Sequence, residues 1–275
     1  MFGFGYTGII ASMKKLPSGG GNGALTTAWI TATSETDATI ISALNTLETD
    51  LTTYGLTAKI KALYPMVGGT AAKHKFNFMD ARDLDAAFRL TFNGGWTHAS
   101  TGALPNGTNA YADTFLSPST SLAQNNCGFS YYSRTNRSLD YGVPCGVYNA
   151  AAYQFCTFAR HSGNNMINRI STTVYSGDTY SGVTDSRGFF TASRNTAAYS
   201  KLFRNGTSLG NGAVASTGLP SEKIFIGGVS YQNNLQFPDN EEFAFNAIHD
   251  GLTDGEAANF YTAVQNFNTT LSRQV

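Results

Sequence analysis

The chain has 275 residues, 41% of them hydrophobic and only 13% charged, with 18 basic against 18 acidic side chains. That balance gives no electrostatic footprint for nucleic acid or anionic membrane, and no apolar run reaches the ~18 residues that a membrane-spanning helix needs. The length suits one large all-β domain with a smaller appendage. Charge falls well below the roughly 25% of ordinary soluble domains, so Ser, Thr, Asn and Gly must supply the polar surface.

At the N-terminus Phe2, Phe4 and Tyr6 alternate with glycine. So short a piece cannot bury three rings alone; it either docks on another chain or is disordered. It lacks the basic start and unbroken apolar stretch of a secretory signal. Pro17 to Gly23 is a flexible linker by composition. Leu25 to Thr33 is expected to be a short strand.

Asp37 to Tyr54 is the clearest helix, with Ser34, Thr36 or Asp37 as cap and Gly55 at its end. Ile40, Leu44, Leu47, Leu51 and Tyr54 recur at alternating steps of four and three. Two packings suit that seam: the helix lies on its own domain, or three copies meet in a short trimeric bundle.

From Ile60 onward the pattern changes to short strands. Candidates are Ile60 to Met66, Phe76 to Phe78, Ala87 to Phe92, Ala110 to Ala112, and then one every 10–15 residues up to His249. Gly, Asn, Ser and Pro fill the gaps, as in a sandwich or barrel. Gly188 to Val229 carries three of the strands, and Asn205-Gly206 between two of them is a strong hairpin signal. A last helix starts at Thr253 with Glu256 three residues on, a capping box.

The order of these pieces resembles the LamG-like family of concanavalin A-like jelly rolls, in the versions carried by tailed-bacteriophage virion proteins. The segments that carry the resemblance are ALYPMVGG (Ala62 to Gly69), Gly107 to Asp113, FRNGTSLG (Phe203 to Gly210), Lys223 to Val229, and Phe243 to His249 followed by LTDGEAANFYTAV. Together they span about residues 57–265. The resemblance implies a mainly β fold, a two-sheet antiparallel jelly-roll sandwich with an N-terminal arm and helix and a short C-terminal helix. The expected division is 1–24 as arm and linker, 25–56 as short strand plus assembly helix, and 57–275 as sandwich. Phe88, Leu90, Tyr111, Phe129, Phe155, Phe190, Phe203, Ile224, Ile226, Phe243 and Phe245 are expected to point between the sheets.

The family it resembles holds glycosidases as well as lectins, and a glycosidase would need two carboxyl groups across the scissile bond. No Glu lies between Glu48 and Glu222, and the neighbours Glu241 and Glu242 would face opposite ways on a strand. The four histidines, His74, His98, His161 and His249, are scattered and form no metal-binding spacing. Neither an enzyme nor a resident metal or cofactor is expected; calcium is the one ion with candidate loop ligands, Asp178, Asp185, Asp239 and Asn240. Cys127, Cys145 and Cys156 read as reduced core thiols.

The resemblance implies a non-enzymatic virion structural protein, made in the host cytoplasm, that displays its sandwich for attachment to a host surface glycan. Phe2, Phe4 and Tyr6 would dock on other virion proteins, and the Ile40–Tyr54 seam would hold a homotrimer. Candidate sugar-binding residues are Trp96 with Asn93 and His98, and Tyr231 with Asn233. Tyr175 and Tyr180 are further exposed-ring candidates. The alternatives are a stand-alone carbohydrate-binding lectin module and a glycan-degrading enzyme with an unrecognised site.

Overall fold

The computed structural model describes residues 21–137, 142–161 and 163–275; Phe2, Phe4 and Tyr6 lie outside them. The chain begins with α1 (Ala24–Thr33) and α2 (Ala38–Thr53), then β1 (Ile60–Tyr64) and the single turn α3 (Ala71–His74). Next come β2 (Thr91–Asn93), β3 (Trp96–Ala99), β4 (Gly102–Pro105), β5 (Tyr111–Asp113) and the turn α4 (Pro118–Ser121). The middle holds β6 (Cys127–Ser133), β7 (Cys145–Tyr148), β8 (Gln154–His161), β9 (Asn165–Thr172), β10 (Asp178–Tyr180) and β11 (Gly188–Arg194). The remainder is β12 (Lys201–Arg204), β13 (Thr207–Asn211), β14 (Phe225–Ile226), β15 (Val229–Tyr231), β16 (Asn234–Gln236), β17 (Phe243–His249) and α5 (Asp254–Thr270).

These strands build the expected mainly β sandwich. The first sheet runs β13-β12-β11-β6-β17-β4-β3, with β1 also on β17. The second runs β16-β15-β7-β14-β5-β2, and β8, β9 and β10 form a three-stranded ribbon beside β7. The pairing is antiparallel except between β15 and β7. Between the layers lies one core, including Phe129, Tyr131, Phe155, Phe190, Ile224 and Phe243.

A second core lies on the other side of the first sheet, where α1, α2 and α5 form a third layer. Trp29, Leu44, Leu47, Leu51, Phe260 and Phe267 meet Tyr132, Phe189, Phe203 and Phe245 there. The central strands β6, β11 and β17 are therefore covered on both faces. This corrects three expected inward positions. Phe203 alternates with Leu202 and faces the helices. Phe245 joins it because a register shift between Phe243 and Phe245 reverses the alternation. Tyr111 is half-buried and stacks on Phe225, with ring centroids 4.3 Å apart.

The 24–33 segment is a helix, where a strand was expected. Gly23 offers no side-chain cap. The Glu48 carboxylate of α2 accepts the Leu25 and Thr26 amides at 3.0 and 2.9 Å, and Asn45 accepts that of Gly23. A cap supplied by another helix overrides the weak preference of Thr and Ile for a strand. α2 starts as expected, with the Asp37 carboxylate accepting from Thr39 and Ile40, and α5 has the expected Thr253–Glu256 capping box.

The α2 seam is spent inside the chain. Leu44, Leu47 and Leu51 are fully buried in the helical core, with Ile40 and Tyr54 half-buried at its edge. Three leucines already covered by the chain's own residues are not free to line a trimer axis.

The Asn205-Gly206 turn joins β12 to β13 with φ of 48° and 74°, both left-handed as a type I′ turn requires. A Cβ at Gly206 would lie 3.1 Å from Ala258 Cα and 3.1 Å from Tyr261 Cβ of α5. Gly206→Ala is expected to cost about 1–2 kcal/mol, from left-handed strain and this contact, read as a lower urea midpoint. An unchanged midpoint would show that the turn and α5 relax freely.

Candidate functional site

The outer face of the second sheet carries a hollow of about 280 Å³. It is built by register. β15 runs parallel to β7 with Tyr231 opposite Tyr148, which stacks the two rings at 4.5 Å and 21°. The β15–β16 hairpin turns through Gln232 and Asn233, both left-handed at φ 51° and 60°. Alternation along β8 sends Phe155 into the core and Cys156 and Phe158 outward. Phe237 closes the side, 5.5 Å from Phe158 and nearly edge-on.

Arg169 of β9 crosses this wall. It lies opposite Cys156 and diagonal to Phe158, so its guanidinium sits 4.5 Å from the Phe158 centroid and 5.9 Å from that of Tyr175. Tyr175, in the loop after β9, is 58% exposed. Gln154 is buried; its Oε1 accepts from Arg169 Nη1 at 3.2 Å, and its Nε2 has no partner among the described residues. Burial, with Tyr231 and Tyr175 nearby, raises the Tyr148 phenol above its usual range. Burial pushes the Cys156 thiol up to about 12, so it is no nucleophile at neutral pH. Cys127 and Cys145 are likewise free, buried thiols.

Flat rings with hydrogen-bonding edges and one cation can hold a sugar ring by its apolar face and its hydroxyls. Of the sequence candidates, Tyr231 and Tyr175 line the hollow. Asn233 occupies the adjoining turn, and Tyr180 is buried with its hydroxyl on Ser200 O. Tyr148, Phe158 and Arg169 were missed.

Trp96, Asn93 and His98 form a different, packed cluster. The indole N–H donates to Asn93 O and Tyr111 O at 3.1 and 3.3 Å, and the ring lies over Gly227. Asn93 Nδ2 donates to Thr91 O. His98 Nδ1 meets His74 Nδ1 at 2.9 Å. A larger hollow, about 520 Å³, is bordered by Lys61, Asn77 and Asp80. Their polar groups are engaged within the chain, by Asp250, Leu63 and Arg82 respectively.

The acidic residues belong to separate networks. Asp178 accepts from Ser200 and from the amides of Ala213 and Val214, and Asp185 pairs with Arg187. Asp239 and Glu241 are fully buried around Arg137, whose Nη1 is 2.6 Å from Asp239 Oδ1. Burial holds both acids above their usual range, Glu241 well above. Glu242 turns the other way and pairs with Arg134 at 2.9 Å. Among the described residues no three His, Cys, Asp or Glu side chains are grouped to hold a metal ion. No helix there is long and apolar enough to cross a membrane.

The buried histidines predict acid sensitivity. Burial first, then His98 and Arg273, lowers His74 to about 3, and burial lowers His249 to about 4. Unfolded histidine takes up its proton near 6.5, so between there and about 4 the unfolded chain binds more protons and stability falls with pH. Asp239 and Glu241 work in the opposite sense, because their raised values favour the folded state at low pH. The readout is therefore a difference: from pH 7 to 4.5 wild type should lose a few kcal/mol more in urea unfolding than His74→Gln. Equal losses would contradict it.

No family model matches the chain, and a comparison with curated proteins gives no match either. Among solved structures it is similar to domain 4 of AbnA, a GH43 extracellular arabinanase from Geobacillus stearothermophilus in complex with arabinotriose. The identity is 13% and the TM-score 0.44, over 74% of this chain and 98% of that one. The Ruminococcus gnavus IT-sialidase CBM40 bound to alpha2,3 sialyllactose aligns at 16% identity and TM-score 0.34, over 49% and 81%. A Trypanosoma rangeli sialidase in complex with the inhibitor DANA aligns at 10% and 0.39, over 63% and 28%. These three overlaps are too loose to carry an argument about ligand or activity.

Proposed function

We propose that this chain is a non-enzymatic glycan-binding β-sandwich whose binding site is the aromatic hollow on the second sheet. The observation that carries the proposal is the Tyr148–Tyr231 stack, set by parallel register beside Phe158, Arg169 and the exposed Tyr175. Rings in a half-open hollow offer sugar faces a dry surface, while phenol and guanidinium edges address hydroxyls. Binding is favoured over hydrolysis because no Asp or Glu lines the hollow. Glycoside hydrolysis needs two carboxyl groups flanking the scissile bond.

We further propose that the sandwich is displayed on a tailed-bacteriophage virion, made in the host cytoplasm, for attachment to a host surface glycan. The N-terminal segment would join it to other virion proteins. This part rests on the order of sequence segments from Ala62 to His249, together with the low charge and the aromatic, glycine-broken N-terminus. Immunogold labelling of intact particles with an antibody to the sandwich tests the placement; unlabelled particles would refute it.

Glycan-array binding followed by calorimetry tests the glycan reading. Tyr148→Ala and Tyr231→Ala should each weaken binding by about 2 kcal/mol or more, as truncation of an aromatic anchor does, while Trp96→Phe leaves it unchanged. Full binding by both tyrosine variants would place the site elsewhere.

A further inference from the structure

The most unusual side chain in the hollow is Arg169. Every other side chain lining it is uncharged. Its guanidinium has no carboxylate partner among the described residues; Arg160, Arg194 and Arg273 share that, but each donates to several backbone or amide oxygens, whereas Arg169 donates to one. It lies near both the Phe158 and Tyr175 rings, and Gln154 takes only its Nη1. Nε is buried without a partner, and Nη2 makes no hydrogen bond to a described residue. Nε is closed to a ligand by its burial, so Nη2 is the donor left open, and a hydrogen bond from a guanidinium to a carboxylate is of the strong, charge-assisted kind.

A cation placed in an aromatic hollow and left unneutralised selects for a ligand that brings the negative charge. We infer that the site binds a carboxylate-bearing sugar residue, with the carboxylate on Nη2 of Arg169 and the sugar ring against the Tyr148–Tyr231 stack. This inference rests on the glycan-binding reading above and names its ligand class. Lysine at 169 would keep the charge and lose the planar group that lies near the Phe158 and Tyr175 rings. Gln154 acts on the ligand through Arg169 by fixing the guanidinium plane, so it is a positioning residue.

The test is calorimetry of the full chain against matched acid and neutral sugars: galacturonate against galactose oligomers, glucuronate against glucose oligomers, and N-acetylneuraminate against its C1 alcohol. A sulfated galactose oligomer is included. At least one acid form should bind about ten- to a hundredfold tighter than its neutral partner, the range of a hydrogen bond to a charged group. Arg169→Gln should erase that ratio and Arg169→Lys should recover only part of it, both with a thermal midpoint near wild type. A merely structural Arg169 would lower the midpoint and leave the acid-to-neutral ratio intact. Neutral forms binding as well as acids would overturn the inference and leave glycan binding standing. Sulfate binding as tightly as carboxylate would overturn the carboxylate assignment. No binding by any sugar would defeat the functional reading itself, and this inference with it.

Discussion

Replacing Arg273 by methionine is expected to destabilise the fold by at least about 3 kcal/mol. Arg273 stands two residues from the C-terminus in a tail that reads as polar, yet its side chain is only 1% exposed. Nη1 donates to Met66 O at 2.7 Å, Nη2 to Pro65 O and Ala244 O at 2.6 and 2.8 Å, and Nε to Asn268 Oδ1 at 2.8 Å. One guanidinium thus satisfies acceptors from the chain after β1, from β17 and from α5, and it lies 5.1 Å from the Phe267 ring centroid. Methionine fills similar space but leaves three carbonyls and one amide oxygen buried without donors, each a desolvation cost of about 1–3 kcal/mol before relaxation. Urea unfolding at pH 7 measures the loss. A drop below about 1 kcal/mol would mean that water or a neighbouring donor replaces the guanidinium.

Leu47→Ala is the second large effect, expected at about 2–5 kcal/mol. Leu47 is wholly buried in the helical layer, among Leu44, Leu51 and Phe267. The cavity would open within one chain, so the loss should not vary with protein concentration. A seam shared by three chains would behave otherwise, because association makes stability depend on concentration. Equal losses at widely spaced concentrations support packing within the chain; a loss that shrinks as concentration rises would restore the trimer.

What could be read in the sequence was written locally. The Asn205-Gly206 turn, the Asp37 cap and the Thr253–Glu256 box each involve residues a few positions apart. What escaped was set at long range. α1 takes its cap from Glu48 on the next helix, and Phe245 changes faces through a bulge. Of the proposed site, only Tyr231 and Tyr175 were legible, as aromatics beside Asn, Gln, Ser and Thr. Tyr148, Phe158 and Arg169 sit in strands that read as core, and only the pairing of β7 with β15 and of β8 with β9 brings them together. Trp96 drew notice for its ring, but its indole N–H is satisfied by two backbone carbonyls.

Hydroxyl-radical footprinting of the full chain, with and without a saturating glycan from the array, tests the central claim most directly. The account predicts that Tyr175 and Tyr231 become protected together while Trp96 reacts as before. Protection centred on Trp96 and His98, with Tyr175 and Tyr231 unchanged, would contradict it.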